Sequence, residues 1–190
     1  MSAVDLCPRP RNSAATRVKI LDAATRRFSD ASYDQVGIRD IAGDVGVDPA
    51  LISRYFGSKE ELFRVVVQQL GDCSELISGK RSAFGKRAAR ELLNGENGEN
   101  KMAWLRVMLL AISSPKAADI LQQTSKARFF DPLSAWIGGD DADLKAHLST
   151  ALLVGLSVTR ETSGGFRLSP AQKEKLHDWL AVLLQGIIDH

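Results

Sequence analysis

The chain has 190 residues, 44% of them hydrophobic, and a formal net charge of +2. That length suits one ordinary domain or a small module fused to a larger one, and the apolar content lets a proper core form, while the charge is too small to identify a partner. The two cysteines, Cys7 and Cys73, form neither a CxxC pair nor a zinc spacing, which argues against a disulfide framework and for a reducing compartment.

In chain order, residues 1–12 hold two prolines, several charges and no period, and are expected to form a flexible arm. Charge is concentrated at this end: Arg9, Arg11, Arg17, Lys19, Arg26 and Arg27 face only Asp5 and Asp22. Such a leading segment fits a phosphate-facing arm, or else a solvated tail. From Ser13 the pattern turns helical, with Val18, Ile20, Leu21, Ala24 and Phe28 on one apolar face. DASYDQVG at 30–37 breaks it. Short helices are predicted over about 38–45 and 49–55.

Ser58 and Glu61 form a capping-box pattern that opens a helix expected to reach about Ser78. GKRSAFGKRAAR at 79–90 reads as a turn and a further helix, and NGENGEN at 94–100 as a loop. Residues 101–112 return to helix, and Pro115 fits the first turn of another after Ser114. Asp131-Pro132 and WIGGDD at 136–141 mark breaks. Two long helices, 142–162 and 170–188, close the chain. No strand alternation is found, so the fold class is all-α with about nine helices and no internal repeat.

The informative stretch is IAGDVGVDPALISRYFGSKEEL at 41–62. Gly46 follows the last periodic residue of one short helix, where a left-handed backbone suits glycine. Asp48 is a good N-cap, and Pro49 takes the first helical position, where its missing N–H does no harm. Stop and start therefore lie two residues apart and set two short helices across a tight turn. Ile41, Val45, Val47, Ile52 and Tyr55 are expected to converge between them, and Ala42 allows close approach. This is helix-turn-helix spacing. With Ile52 and Phe56 turned inward, Pro49, Ala50, Ser53 and Arg54 face out, a narrow surface that suits a major groove. A plain turn between core helices is the bland alternative.

The run ILDAATRRFSDASYDQVGIRDIAGDVGVDPALISRYFGSKEELF, residues 20–63, resembles the N-terminal domain of TetR-family transcription regulators. The likeness rests on LDAA with its following Phe, Tyr33 and Val36, Ile41-Ala42, Gly46-Val47, Tyr55-Phe56 and the Ser58-Lys59-Glu60-Glu61-Leu62 segment. It covers about a quarter of the chain. Two departures stand out. Ile38 occupies a position where the family often has Thr or Ser, which can cap the helix and touch phosphate. Pro49-Ala50-Leu51 stands where Lys, Gly and Thr are frequent. The resemblance implies a three-helix DNA-binding domain over 13–57 behind the arm of 1–12, and a helical ligand-binding and dimerisation domain over 58–190.

The DNA-contacting set is expected to be Arg39, Pro49, Ala50, Leu51, Ser53, Arg54, Tyr55, Lys59, Arg17 and Lys19. Arg39 can present its fork to guanine, and Pro49, Ala50 and Leu51 can touch a thymine methyl. Ser53 and Arg54 face the groove or its wall. Tyr55, Lys59, Arg17 and Lys19 would hold phosphates and set register. A solvated helix-start lysine and a core aromatic with a wet hydroxyl are the plain readings of Lys59 and Tyr55.

For dimerisation, Leu144, Leu148, Leu152, Gly155 and Thr159 make a stripe that Leu153, Val154 and Leu156 widen, and the last helix adds Leu176, Leu180, Leu183, Leu184 and Ile187 beside Trp179. A helix apolar nearly all round is buried on more than one side. The expected interface is Leu148, Leu152, Gly155, Leu156, Leu176, Leu180, Leu183, Leu184 and Ile187, forming a four-helix bundle with a second copy; burial within their own domain is the alternative. The resemblance, rather than composition, implies a pocket for a largely apolar effector. Its candidates are Trp104, Leu105, Met108, Phe129, Phe130, Leu133 and Trp136, each of which also suits a core.

The most concrete reading is a ligand-responsive repressor that binds a palindromic operator as a homodimer and is released by a small molecule. The alternative is a helical adaptor that binds protein and has no DNA affinity. Catalysis is disfavoured, since His147, His177 and His190 are scattered and HExxH, GxSxG and a Gly-rich phosphate loop are absent. No catalytic residue, metal ligand or cofactor is expected. The N-terminus has no apolar core of signal-peptide length, and the most apolar run, ALLVGL at 151–156, is too short to cross a bilayer. The expectation is a cytoplasmic protein with no membrane partner.

Overall fold

A computed structural model of the chain describes residues 11–71, 74–94, 98–164 and 166–190. Most of the expected arm, both cysteines and residues 95–97 of the expected loop lie outside them. Among the described residues all regular structure is helical. Nine helices have eight residues or more: α1 (Arg11–Asp30), α2 (Ile38–Val45), α3 (Pro49–Phe56), α4 (Lys59–Leu70), α6 (Phe84–Asn94), α7 (Gly98–Ala111), α8 (Pro115–Ser125), α10 (Ala142–Thr162) and α11 (Pro170–Asp189). Two shorter ones, α5 (Ser74–Ile77) and α9 (Asp131–Ile137), complete the order. The chain divides into two compact units. One comprises the chain up to Val66 together with Arg106–Ile120, and the other comprises Val67–Leu105 and Leu121–His190.

In the first unit, α1 buries Ile20, Leu21, Ala24 and Phe28 as its pattern predicts, but Val18 is 55% exposed. Val18 precedes Ile20 by two residues, roughly 200° round the helix, and so misses the buried stripe. Phe28, Tyr33 and Phe63 form an aromatic knot. The rings of Phe28 and Phe63 meet edge-on at 4.9 Å, and Tyr33 lies 5.1 Å from Phe63. Two ion pairs tie the 106–120 segment into this unit, Lys116 with Glu60 at 2.7 Å and Arg106 with Asp30 at 3.7 Å.

The helix predicted from Ser58 to Ser78 is shorter than expected, since α4 ends at Leu70. Ser58 does cap it, accepting from the Glu61 N–H at 3.2 Å, while the Glu61 carboxylate accepts from Arg64 Nε at 3.4 Å rather than closing the capping box. Gly71 ends the helix in close quarters: a Cβ there would stand 2.9 Å from Trp104 Nε1 and 3.1 Å from the Val67 carbonyl oxygen.

The second unit is organised by α11 lying along α6. Phe84, Ala88, Leu133, Ile137, Ala146, Leu184 and Ile188 form its main core, and Ala89, Leu92, Leu180 and Ala181 a second cluster. Gly85 makes the close approach possible, because a Cβ at that position would fall 2.0 Å from the Ala181 carbonyl oxygen. Gln185 stitches the same crossing, accepting from the Gly85 N–H at 3.0 Å and donating to the Arg81 carbonyl at 3.1 Å.

The break expected at Asp131-Pro132 is not a break. The chain stays helical through a π-turn, Lys126–Phe130, in which the Asp131 N–H reaches back to the Lys126 carbonyl. Pro132 then sits in the first turn of α9. The widened turn removes the ladder bond that proline could not make, so the helix bends its hydrogen-bond register instead of stopping. The expected loop also shrinks, since Gly98–Asn100 already belong to α7.

Candidate nucleic-acid interface

The turn between α2 and α3 is built as its residue types dictate. Gly46 closes α2 at φ 72° and ψ 37°, in the left-handed region, and its N–H bonds back to α2 carbonyls. The Val47 N–H reaches the Ala42 carbonyl at 3.0 Å. Asp48 then accepts from the Ala50 N–H at 2.7 Å, and Pro49 occupies the first turn of α3. The position of Ile38, which has no hydroxyl to cap α2, is compensated next door. The Gly37 N–H donates to the Asp40 carboxylate at 3.1 Å, so the helix is capped from its third residue.

The two helices turn their apolar sides together: Ile41, Ala42 and Ile52 are buried to 1% exposure or less, and Phe56 to 7%. Val45, Val47 and Tyr55 are half-buried. On the opposite side of α3, Ala50, Ser53 and Arg54 are exposed, with Pro49 and Leu51 half-buried at its edge. Arg39 is exposed at the second position of α2, and Arg17 and Lys19 are exposed on α1.

Two of the predicted phosphate contacts rest on aromatic rings. The Arg17 guanidinium lies 4.8 Å from the centroid of Phe56, the last residue of α3. The Lys59 ammonium lies 4.3 Å from the Tyr33 centroid. Partial burial lowers the pKa of Lys59. Burial, with the charges of Glu60 and Asp34, raises that of Tyr33 to about 12. Contacts of this kind hold a flexible cation in one place at modest energy. Beside them, Arg27 of α1 grips Asp44 of α2 through two hydrogen bonds, each 2.6 Å. Arg27, Asp44, Asp40 and Tyr33 were not on the predicted list. Asp40 had a readable signal, a carboxylate at the third position of a helix, whereas the Arg27–Asp44 pair spans 17 residues and has none.

The second unit encloses a cavity of about 340 Å³, lined among others by Leu70, Leu92, Trp104, Leu105, Phe129 and Leu153. It brings together three of the seven predicted pocket residues, Trp104, Leu105 and Phe129. The others lie elsewhere. Met108 belongs to the first unit. Phe130 stacks on His147 at 4.6 Å. Leu133 is fully buried in the core, and Trp136 packs against Phe84 and under Arg87. On α9, Leu133 and Ile137 lie in the core of this unit and Trp136 packs against it, so size and apolarity there served packing.

The predicted dimer residues also divide. Leu180 and Leu184 are 5% and 0% exposed, packed inside their own unit. Leu156 and Leu176 pack against the smaller cluster, and Leu152 and Ile187 against the main core. Left facing outward are Leu144, Leu148 and Gly155 on α10 and Trp179, Val182 and Leu183 on α11. Val182, 75% exposed, was not predicted. It lies three residues beyond Trp179 on the same side of α11, which is the signal that could have found it.

Among the described residues no group of His, Cys, Asp and Glu could hold a metal ion, and no helix is long and apolar enough to cross a membrane. Residues 20–66 match the family of bacterial regulatory proteins, tetR family, and residues 83–188 match the tetracyclin repressor-like C-terminal domain. An HTH-type transcriptional repressor of Mycobacterium tuberculosis is 30% identical over 103 residues, which is 49% of this chain and 55% of the relative. The HTH-type transcriptional activator FasR of Mycolicibacterium smegmatis is 37% identical over 68 residues, 36% of this chain and 30% of that protein. The chain thus spans about half the length, or less, of the curated relatives it matches. The solved structure of Salmonella enterica GusR shares the fold, with a TM-score of 0.71 at 18% identity over 93% of this chain and 96% of that one. With its helix-turn-helix at residues 38–56 and both halves matched over 20–66 and 83–188, the chain belongs to the TetR family of transcription regulators, which are not enzymes.

Proposed function

We propose that this chain is a ligand-responsive DNA-binding regulator that acts as a repressor, binding a palindromic operator as a homodimer and leaving it when a small molecule occupies the second unit. The proposed division is an arm over 1–12, a reading domain over 13–57, and a helical domain over 58–190 for ligand and dimerisation. The single observation that carries DNA binding is the free outer side of α3: Ala50, Ser53 and Arg54 are exposed while Ile52 and Phe56 anchor the helix from behind. Arg39 and Arg54 are the groups suited to guanine, and Pro49, Ala50 and Leu51 the apolar ones suited to a thymine methyl. Tyr55, Lys59, Arg17 and Lys19 are proposed for phosphate.

Two such heads on a two-fold axis would read a palindrome, and the outward stripes of α10 and α11 are the surface that would join them. Occupation of the cavity would lower operator affinity by about five- to a hundredfold, a usual size for such coupling. The sign of regulation follows the longer of the two alignments: the relative matched over 103 residues is named a repressor, the one matched over 68 an activator. The setting in which a chain of this kind works is the cytoplasm. The test is fluorescence anisotropy on a selected duplex and on random duplex at two salt concentrations. A salt-dependent affinity with clear preference for the selected duplex is expected. The adaptor alternative predicts no DNA affinity at either salt.

A further inference from the structure

We propose that Arg27 and Asp44 are positioning residues for DNA reading: their pair fixes α2 against α1, so that Arg39 and the cations of α1 meet a duplex in one pose. The inference rests on the regulator reading and adds two residues that serve it without touching a base.

The pair has a geometry that orients more than it stabilises. Arg27 Nε donates to Asp44 Oδ2 and Arg27 Nη2 to Asp44 Oδ1, each at 2.6 Å. Two parallel bonds of this kind fix the plane of the guanidinium relative to the carboxylate. The two side chains are 43% and 31% exposed, and ion pairs so open to water add little stability. The hydrogen bonds from Arg27 are the largest cause holding the Asp44 carboxyl below its ordinary value, so the acceptor stays ionised.

α1 is tied to the helix-turn-helix in two places. Arg27 holds α2 through Asp44, and Arg17 lies 4.8 Å from the ring centroid of Phe56, the last residue of α3. Between these ties the contact is apolar: Ile20 and Ala24 of α1 are fully buried, as is Ile41 of α2. Apolar burial has no direction, so it resists separation better than rotation. The fork at Arg27 resists rotation. The ten residues from Arg17 to Arg27 rise about 15 Å, so turning α1 by about 10° at its Arg27 end would carry Arg17 through about 2–3 Å. That exceeds the distance range of a hydrogen bond, about 0.5 Å.

Charge alone predicts the opposite sign. Asp44→Asn removes a carboxylate from the helix that bears Arg39, and by simple attraction it would tighten binding to every duplex. If the pair positions α2, the same substitution harms discrimination.

The test is fluorescence anisotropy with the full-length protein on a selected operator and on random duplex at one salt concentration. Asp44→Asn should lower the operator-to-random affinity ratio by at least about fivefold, the lower end of what one bidentate base contact is worth. Arg27→Lys, which keeps the charge and loses the fork, should do the same, and it is the second variant should Asp44→Asn fold poorly. Melting midpoint and helix content should stay near those of the wild type, and neither variant should lose affinity for random duplex in proportion. The double variant should lose no more than the larger single loss, because the two residues act as one. An unchanged ratio in a folded variant, equal tightening or equal weakening on both duplexes, or losses that add would overturn the inference. A wild type that discriminates beside variants that discriminate equally well overturns this inference alone. A wild type that binds neither duplex overturns the regulator reading and this inference with it.

Discussion

The ammonium of Lys59 stands 4.3 Å above the ring of Tyr33, a residue that is itself 4% exposed and locked against Phe28 and Phe63. The cation at the start of α4 is therefore placed by the aromatic core of the first unit. A charge so placed can meet a phosphate without first being ordered. Lys59→Ala should weaken binding to all duplexes alike and reduce the slope of log affinity against log salt by about one per protomer. A titration series in salt measures it; an unchanged slope would remove Lys59 from the phosphate contacts.

Base readout should divide between the two exposed arginines. Replacing Arg39 or Arg54 by Ala is expected to cost about 1–3 kcal/mol on the selected operator and to relax preference at one base pair per half-site. Selection of bound sequences with each variant reads the effect. A variant whose preference matches the wild type does not touch a base edge.

Glu60 gives the first unit an acid limit. Its hydrogen bond from Lys116 is the largest cause holding its carboxyl at about 2, against an ordinary 4.5. A carboxyl with a depressed folded pKa binds protons less readily folded than unfolded, so its contribution is complete above the ordinary value and fades as pH falls toward the folded one. Thermal melts from about pH 5 to pH 2.5 should therefore fall less steeply for Glu60→Gln than for the wild type. Parallel curves would show that the ion pair contributes nothing measurable, as many exposed pairs do.

The crossing of α6 and α11 tolerates no side chain at Gly85. Gly85→Ala would bring its Cβ to 2.0 Å from the Ala181 carbonyl oxygen and 2.8 Å from the Gln185 nitrogen, both backbone atoms. The loss should be about 1–3 kcal/mol or more, visible as a lowered melting midpoint. Gly43→Ala on α2 is the contrasting variant, since a Cβ there meets nothing within 4 Å. It should be neutral or stabilise by up to about 1 kcal/mol.

Dimerisation should depend on the outward residues rather than the larger leucines behind them. Val182→Glu and Leu148→Lys alter side chains that are 75% and 49% exposed. Both should sediment as monomers at micromolar concentration with unchanged helix content. Leu184→Ala, at a fully buried position, should instead lower stability by about 2–5 kcal/mol. A Val182→Glu protein that remains dimeric would move the interface elsewhere.

The helix-turn-helix could be read from local chemistry because each of its signals acts within a few residues. Gly46 ends α2, Asp48 caps α3, Pro49 starts it, and Ile41, Ile52 and Phe56 recur at helical spacing; all behave in the structure as their types predict. The failures involve distant partners. α4 stops at Gly71, where Trp104 lies alongside, 33 residues later in the chain. Trp136 and Leu133 are as apolar as Trp104 and Leu105, yet they fill the core. Leu180 and Leu183 sit three residues apart on one helix, and only the first is covered by its own unit.

Composition and spacing were thus enough for an all-helical chain, for the bend at Gly46 and for the narrow outer side of α3, since backbone preference and capping are properties of neighbouring residues. They could not say which leucine meets α6 and which meets solvent, or which aromatic borders the cavity. Nor could they pair Arg27 with Asp44. Those assignments depend on how helices cross, and a crossing such as that at Gly85 is set by the shapes of two surfaces that meet about 100 residues apart.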